Sequence, residues 1–107
     1  MARKIKCIIK RPDEKYGHVC HVSDRLENLQ KTVEGNIEVI PAVNNAIIIC
    51  NEEGKIRGLE ENMWYFHDRL CGTIIVCGTR GEEFDDIPIS LDMWKWFVDK
   101  QEELGPL

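Results

Sequence analysis

The chain has 107 residues, with 14 Lys and Arg against 19 Asp and Glu, a formal net charge of −5. That length allows one domain, here 1–107, able to bury roughly 65% of the surface its unfolded form exposes. Apolar residues at 43% and charged residues at 31% exclude a disordered chain, and the longest apolar run, Ala46–Cys50, excludes an apolar membrane helix of ~20 residues. Arg3, Lys4 and Lys6 lead into no long apolar stretch, so no secretory signal is expected and the expected location is the cytoplasm.

Lys4–Lys10 reads as the first strand. Ile5, Cys7 and Ile9 supply a buried face, while Lys6, Ile8 and Lys10 supply a mostly wet one. Pro12 ends it in a polar turn, and Gly17–Val22 returns as an antiparallel strand. Asp24 with Glu27 three residues on predicts a helix start. Leu26, Leu29 and Val33 give that helix an apolar stripe and Gly35 stops it.

Asn36–Pro41 is the third strand, with Ile37, Val39 and Pro41 on one face, and Val43-Asn44-Asn45 is a turn. Ala46–Cys50, apolar on both faces, is a central strand. Asn51–Gly54 is a tight turn with Gly54 left-handed, leading to a short strand at Lys55–Gly58. Residues 59–70 carry Met63, Trp64, Tyr65 and Phe66 in a row with neither helical nor strand period, and read as an ordered loop over the sheet. Cys71–Gly78 is an apolar interior strand, and Thr79–Asp86 an acidic loop with Gly81 at its tip. Ser90 caps the last helix, which buries Leu91, Trp94, Phe97 and Val98 and leaves Trp96 partly exposed. The fold class is α+β: a mostly antiparallel sheet of five to six strands in the order ββαβββ-loop-βα, with two helices on one face.

Residues 1–50 carry a net +2 and residues 51–107 a net −7. Such a balance disfavours direct nucleic-acid binding, which needs Lys and Arg against phosphates. It leaves two ideas open: a surface for a partner, or an acidic mimic of nucleic acid. The five cysteines form no C-x-x-C pair, which predicts free thiols in a reducing compartment. His18, Cys20 and His21 supply two ligands at most on one strand face, so no metal and no cofactor are expected. A thiol nucleophile would be Cys71 with His67 as base. A core thiol is the commoner use of such a residue, and no catalytic residue is assigned.

The remaining candidates are binding residues. Tyr65 and Trp96 break the core pattern, and exposed aromatic residues dominate protein-binding surfaces. Asn62 and Asp68 sit in the irregular segment, where each could hold loop backbone or a ligand.

Residues Asn36–Pro41, Cys50–Lys55, Leu59, Asn62, Asp68 and Gly72-Thr73, taken in order, resemble a bacterial and phage family, domain of unknown function 3846. The resemblance covers about residues 4–80. It implies a small accessory protein of bacteria, phages or mobile elements, and it adds Thr73 to Asn62 and Asp68 as matched polar positions. The reading is a non-catalytic, cytosolic domain that binds a partner protein or small ligand through residues 59–70 and the adjacent acidic surface, with a homodimer also possible. An anti-defence inhibitor follows by analogy with a mobile-element origin, and a cysteine-dependent enzyme is the second alternative.

Overall fold

A computed structural model describes residues 3–107. The elements in chain order are β1 (Lys4–Lys10), β2 (His18–Ser23), α1 (Leu26–Val33), β3 (Ile37–Pro41), β4 (Ile47–Asn51), β5 (Glu61–Tyr65), β6 (Asp68–Cys71), β7 (Ile74–Arg80), β8 (Glu83–Asp85) and α2 (Leu91–Leu104). Six strands form one sheet in the order β2-β1-β7-β4-β3, with β8 also paired to β7, and β5 and β6 form a second sheet of two strands. Every pairing is antiparallel. The fold is α+β, as the sequence predicts.

Strand alternation builds two cores rather than one. Ile5, Cys7, Ile9, Ile49, Ile75 and Cys77 point to one face, where Leu29 and Val33 of α1 cover them. Ile8, Ile48, Cys50, Ile74 and Val76 point to the other, where Trp94, Phe97 and Val98 of α2 and Met63 of β5 cover them. The two helices therefore lie on opposite faces, not on one. This is why Ile47–Cys50 of β4 and Ile74–Cys77 of β7 are apolar without alternation: a strand segment buried on both sides has no wet face.

Several local expectations are corrected. Lys55–Gly58 is a turn, not a strand. Gly54 is not left-handed; its role is close approach, because a Cβ there would lie 2.5 Å from the Cys71 carbonyl oxygen. Residues 59–70 hold the β5–β6 hairpin rather than a loop. Cys71 ends β6, and β7 begins only at Ile74. The acidic stretch after Thr79 folds back through Gly81 as β8. Asp24 does not cap α1. The N-cap is Arg25, without a side-chain bond, and the Asp24 carboxylate instead accepts from the Arg3 backbone N–H. Leu26 is exposed rather than part of the buried stripe. Val39 and Pro41 are exposed because β3 is an edge strand. Ser90 does cap α2, accepting from the Met93 N–H at 3.1 Å, and Asn44 and Asn45 do take positive φ.

All five cysteines are free thiols. Burial pushes the Cys50 thiol up from 9.0 to about 11 and Cys77 to about 12. Below pH 9 folded and unfolded chains both hold the Cys50 proton. Above pH 9 the unfolded chain loses it first, so stability falls until the folded thiol ionises near pH 11. Cys50→Ala is therefore expected to flatten the alkaline limb of a urea-denaturation series by about 1.4 kcal/mol per pH unit. Parallel pH curves for the two proteins would refute this.

Candidate functional site

Lys10 is the least expected residue of the molecule. The alternation in β1 predicts it on the wet face, yet it is 2% exposed. Its Nζ donates to the Glu14 carbonyl at 2.7 Å, the Asn62 Oδ1 at 2.7 Å and the Asn62 carbonyl at 3.3 Å. Three acceptors match the three protons of an ammonium group. Asn62 answers in kind: its Nδ2 donates to the Lys10 and Gly72 carbonyls, both at 2.8 Å. Burial lowers the Lys10 amine from its ordinary value, and the nearby carboxylates of Glu14, Glu102 and Asp13 oppose that. Asn62 thus staples the second sheet to β1.

The β5–β6 hairpin turns at Phe66 and His67, both with positive φ, 46° and 71°. Tyr65 and Asp68 pair directly across it, so the turn has two residues of the primed kind that fits strand twist. Asn and Gly usually fill such turns, because a side chain at positive φ costs roughly 1–2 kcal/mol. Here α2 holds the strained tip. The Phe66 N–H donates to Oε1 of buried Gln101 at 2.6 Å, and His67 Nδ1–H donates to the Gly105 carbonyl at 3.0 Å. The Phe66 ring meets Tyr65 and Phe97 edge-on, at 4.8 and 6.2 Å between centroids.

The five sequence-predicted residues do not converge. Asn62 is internal to the Lys10 network. The Tyr65 hydroxyl donates to the Pro41 carbonyl at 2.8 Å, tying the hairpin to β3. Asp68 is exposed, ion-paired with Lys55, and that hydrogen bond holds its carboxyl below the usual range. It lines a pocket of about 290 Å³ together with Glu38, Cys50, Lys55 and Cys71. Thr73 is half-buried between Gly72 and β7. Asn62 lines a different cavity of about 300 Å³, with Lys10, Glu14 and Glu102. His67 at the hairpin tip and Cys71 at its base lie four strand residues apart, roughly 13 Å, so the hairpin does not bring base and thiol together.

Trp96 stands apart from all of these. It is 52% exposed and walls a groove of about 490 Å³ with Met93, Asp92, Ser90 and the Val43-Asn44 turn. Met93, Trp96, Lys100 and Leu104 follow one another at three- and four-residue steps, so they share one flank of α2. Phe66, 56% exposed, packs against buried Phe97, and Leu104 is 47% exposed. Exposed apolar side chains thus stand at the hairpin tip and at the end of α2, and Trp96 and Met93 share a groove with the β3–β4 turn. Sequence reasoning found Trp96 but missed Phe66 and Gln101. The unbroken run of large residues at 63–66 is a signal for Phe66, and nothing in the local sequence singles out Gln101.

Asn62→Ala removes one acceptor from a buried ammonium group and leaves two carbonyls without donors. A loss of about 3 kcal/mol is expected in urea denaturation. A loss under about 1 kcal/mol would mean that water replaces the network.

No curated protein and no solved structure matches the chain. The family model for domain of unknown function 3846 matches residues 5–98, beyond the stretch that carried the resemblance and into α2. The chain is therefore a member of the family described as domain of unknown function (DUF3846).

Proposed function

We propose that this domain is a non-catalytic docking module that binds a partner protein through the apolar side chains of Phe66, Met93, Trp96 and Leu104. The observation that carries the reading is the exposure of Trp96 beside a groove. A tryptophan buries more area than any other side chain, and half of this one faces solvent. Exposed Trp at the centre of an apolar patch is the usual anchor of a protein interface. The strained turn at Phe66 and His67 supports the same reading. The chain holds a large aromatic residue at positive φ where glycine or asparagine would cost less, and that placement presents the Phe66 ring beside α2.

The reading keeps the protein in a reducing cytosol, where five unpaired thiols persist. Among the described residues no helix is long and apolar enough to cross a membrane. The Asp68 pocket is the weaker candidate because charged side chains, Glu38, Lys55 and Asp68, crowd its rim.

Affinity capture from a bacterial lysate, followed by mass spectrometry, tests the proposal. Proteins bound by the parent are expected to be lost with Trp96→Glu and with Phe66→Ser. Ile56→Ser, which alters an exposed apolar residue in the turn after β4, should retain them. Trp96→Glu should keep a cooperative melt, checked by circular dichroism, despite losing the buried half of the ring. Capture indifferent to Trp96, or lost equally with Ile56→Ser, would sink the idea.

A further inference from the structure

The sheet sets thiols side by side beneath α1. Cys20 of β2 and Cys7 of β1 are direct register partners, 13 positions apart in the chain, with their Sγ atoms at 3.8 Å. Cys77 of β7 flanks Cys7 from the other side, one step beyond the Ile8–Val76 pair. Opposed residues on antiparallel strands hold their Cα atoms about 4.5–5.5 Å apart, within the span of a disulfide. Cys7, Cys50, Cys71 and Cys77 are buried, whereas Cys20 is half-buried. β2 lies at the edge of the sheet beside β1, so solvent reaches the row from the Cys20 end. Burial first, then Cys20 and Cys77, push the Cys7 thiol up from its ordinary value, which keeps it protonated and leaves Cys20 to meet an oxidant.

We propose that Cys20 and Cys7 are a reversible disulfide site, in which a hydroperoxide oxidises Cys20 and Cys7 resolves it. The Cys20 sulfur attacks one peroxide oxygen and the O–O bond breaks. A sulfenic acid and, from hydrogen peroxide, one water result. The Cys7 sulfur then attacks the Cys20 sulfur. The S–S bond forms, the S–O bond breaks, and the Cys7 proton leaves with the hydroxide as a second water. Two thiols together lose two electrons, and one peroxide gains them. A dithiol in excess reopens the link by exchange. The link joins the two ends of the β1–β2 connection, whose Glu14 and Tyr16 carbonyls accept from the Lys10 ammonium group and the Trp94 indole. Oxidation thus fastens the segment on which the β5–β6 hairpin and α2 both rest. The site lies on the sheet face opposite α2 and does not depend on the docking reading.

Peptide mapping by mass spectrometry tests this, on reduced native protein given a small excess of hydrogen peroxide and then blocked with N-ethylmaleimide in denaturant. The parent is expected to lose two thiols and to yield one linked peptide pair, Cys7 with Cys20, which dithiothreitol opens. Cys7→Ser, lacking the resolving thiol, should accumulate Cys20 sulfenic acid, trapped by dimedone several-fold above the parent. If that variant folds poorly, the parent map still decides. Peroxide given to the urea-unfolded parent is the reference, since chain proximity alone favours the shortest loop, Cys71 with Cys77. A native map that matches the unfolded one, a dominant Cys7–Cys77 link, or five surviving thiols overturns the site.

Discussion

One buried cation fixes how the second sheet docks on the first. Lys10 ends the first strand, and Asn62 sits near the start of the second sheet. Between them run three hydrogen bonds, two from the ammonium group and one back to the Lys10 carbonyl. Burying an ammonium group costs several kcal/mol unless every proton finds an acceptor. The price is met only when hairpin, strand and the Glu14 turn occupy one arrangement. The interaction is therefore demanding rather than strongly stabilising, and it fixes where the hairpin goes.

Much else depends on that placement. With Asn62 anchored, Met63 closes the core beneath α2, and the Tyr65 hydroxyl reaches Pro41 on the far edge strand. The hairpin tip then meets α2 at Gln101 and Gly105, which offsets the strain of Phe66 and His67. α2 is held in turn by the Trp94 indole, which donates to the Tyr16 carbonyl at 2.8 Å, and by Tyr16, whose hydroxyl donates to Asp99. A continuous chain of contacts thus links the network at Lys10 to the exposed flank carrying Trp96.

The strands with two buried faces and the α2 cap were legible because each is written in a local pattern: unbroken Ile and Val in β4 and β7, and Ser90 three residues before an amide it could accept from. The hairpin was not legible. Its turn uses Phe and His where the twist of paired strands calls for Asn and Gly, and only contact with the end of α2, 35 and 38 residues later, makes that choice tolerable. Lys10 was misplaced for a similar reason. Alternation assigns a side chain to a face but not to water, and the acceptors that bury it come from Glu14 and Asn62. Periodicity shows that a helix has an apolar stripe but not which side of the sheet receives it, so it does not separate the two helices onto opposite faces. Among the site residues, Trp96 was legible as a misfit in its own helix. The internal role of Asn62 was not, since its partner is distant in sequence.

The pairing of β1 with β7 bears on how the chain is made. β1 ends at Lys10 and β7 begins at Ile74, so one edge of the first hairpin has no neighbour while the intervening residues are synthesised. At ~5–20 residues per second that interval is roughly 3–13 s. During it the strand carrying Ile5, Ile8 and Ile9 presents free backbone groups and apolar side chains, the combination most prone to pairing with other chains. Contacts so distant in sequence also slow the closure of the sheet once the chain is released. For this domain the vulnerable period is its birth, before the central strand arrives.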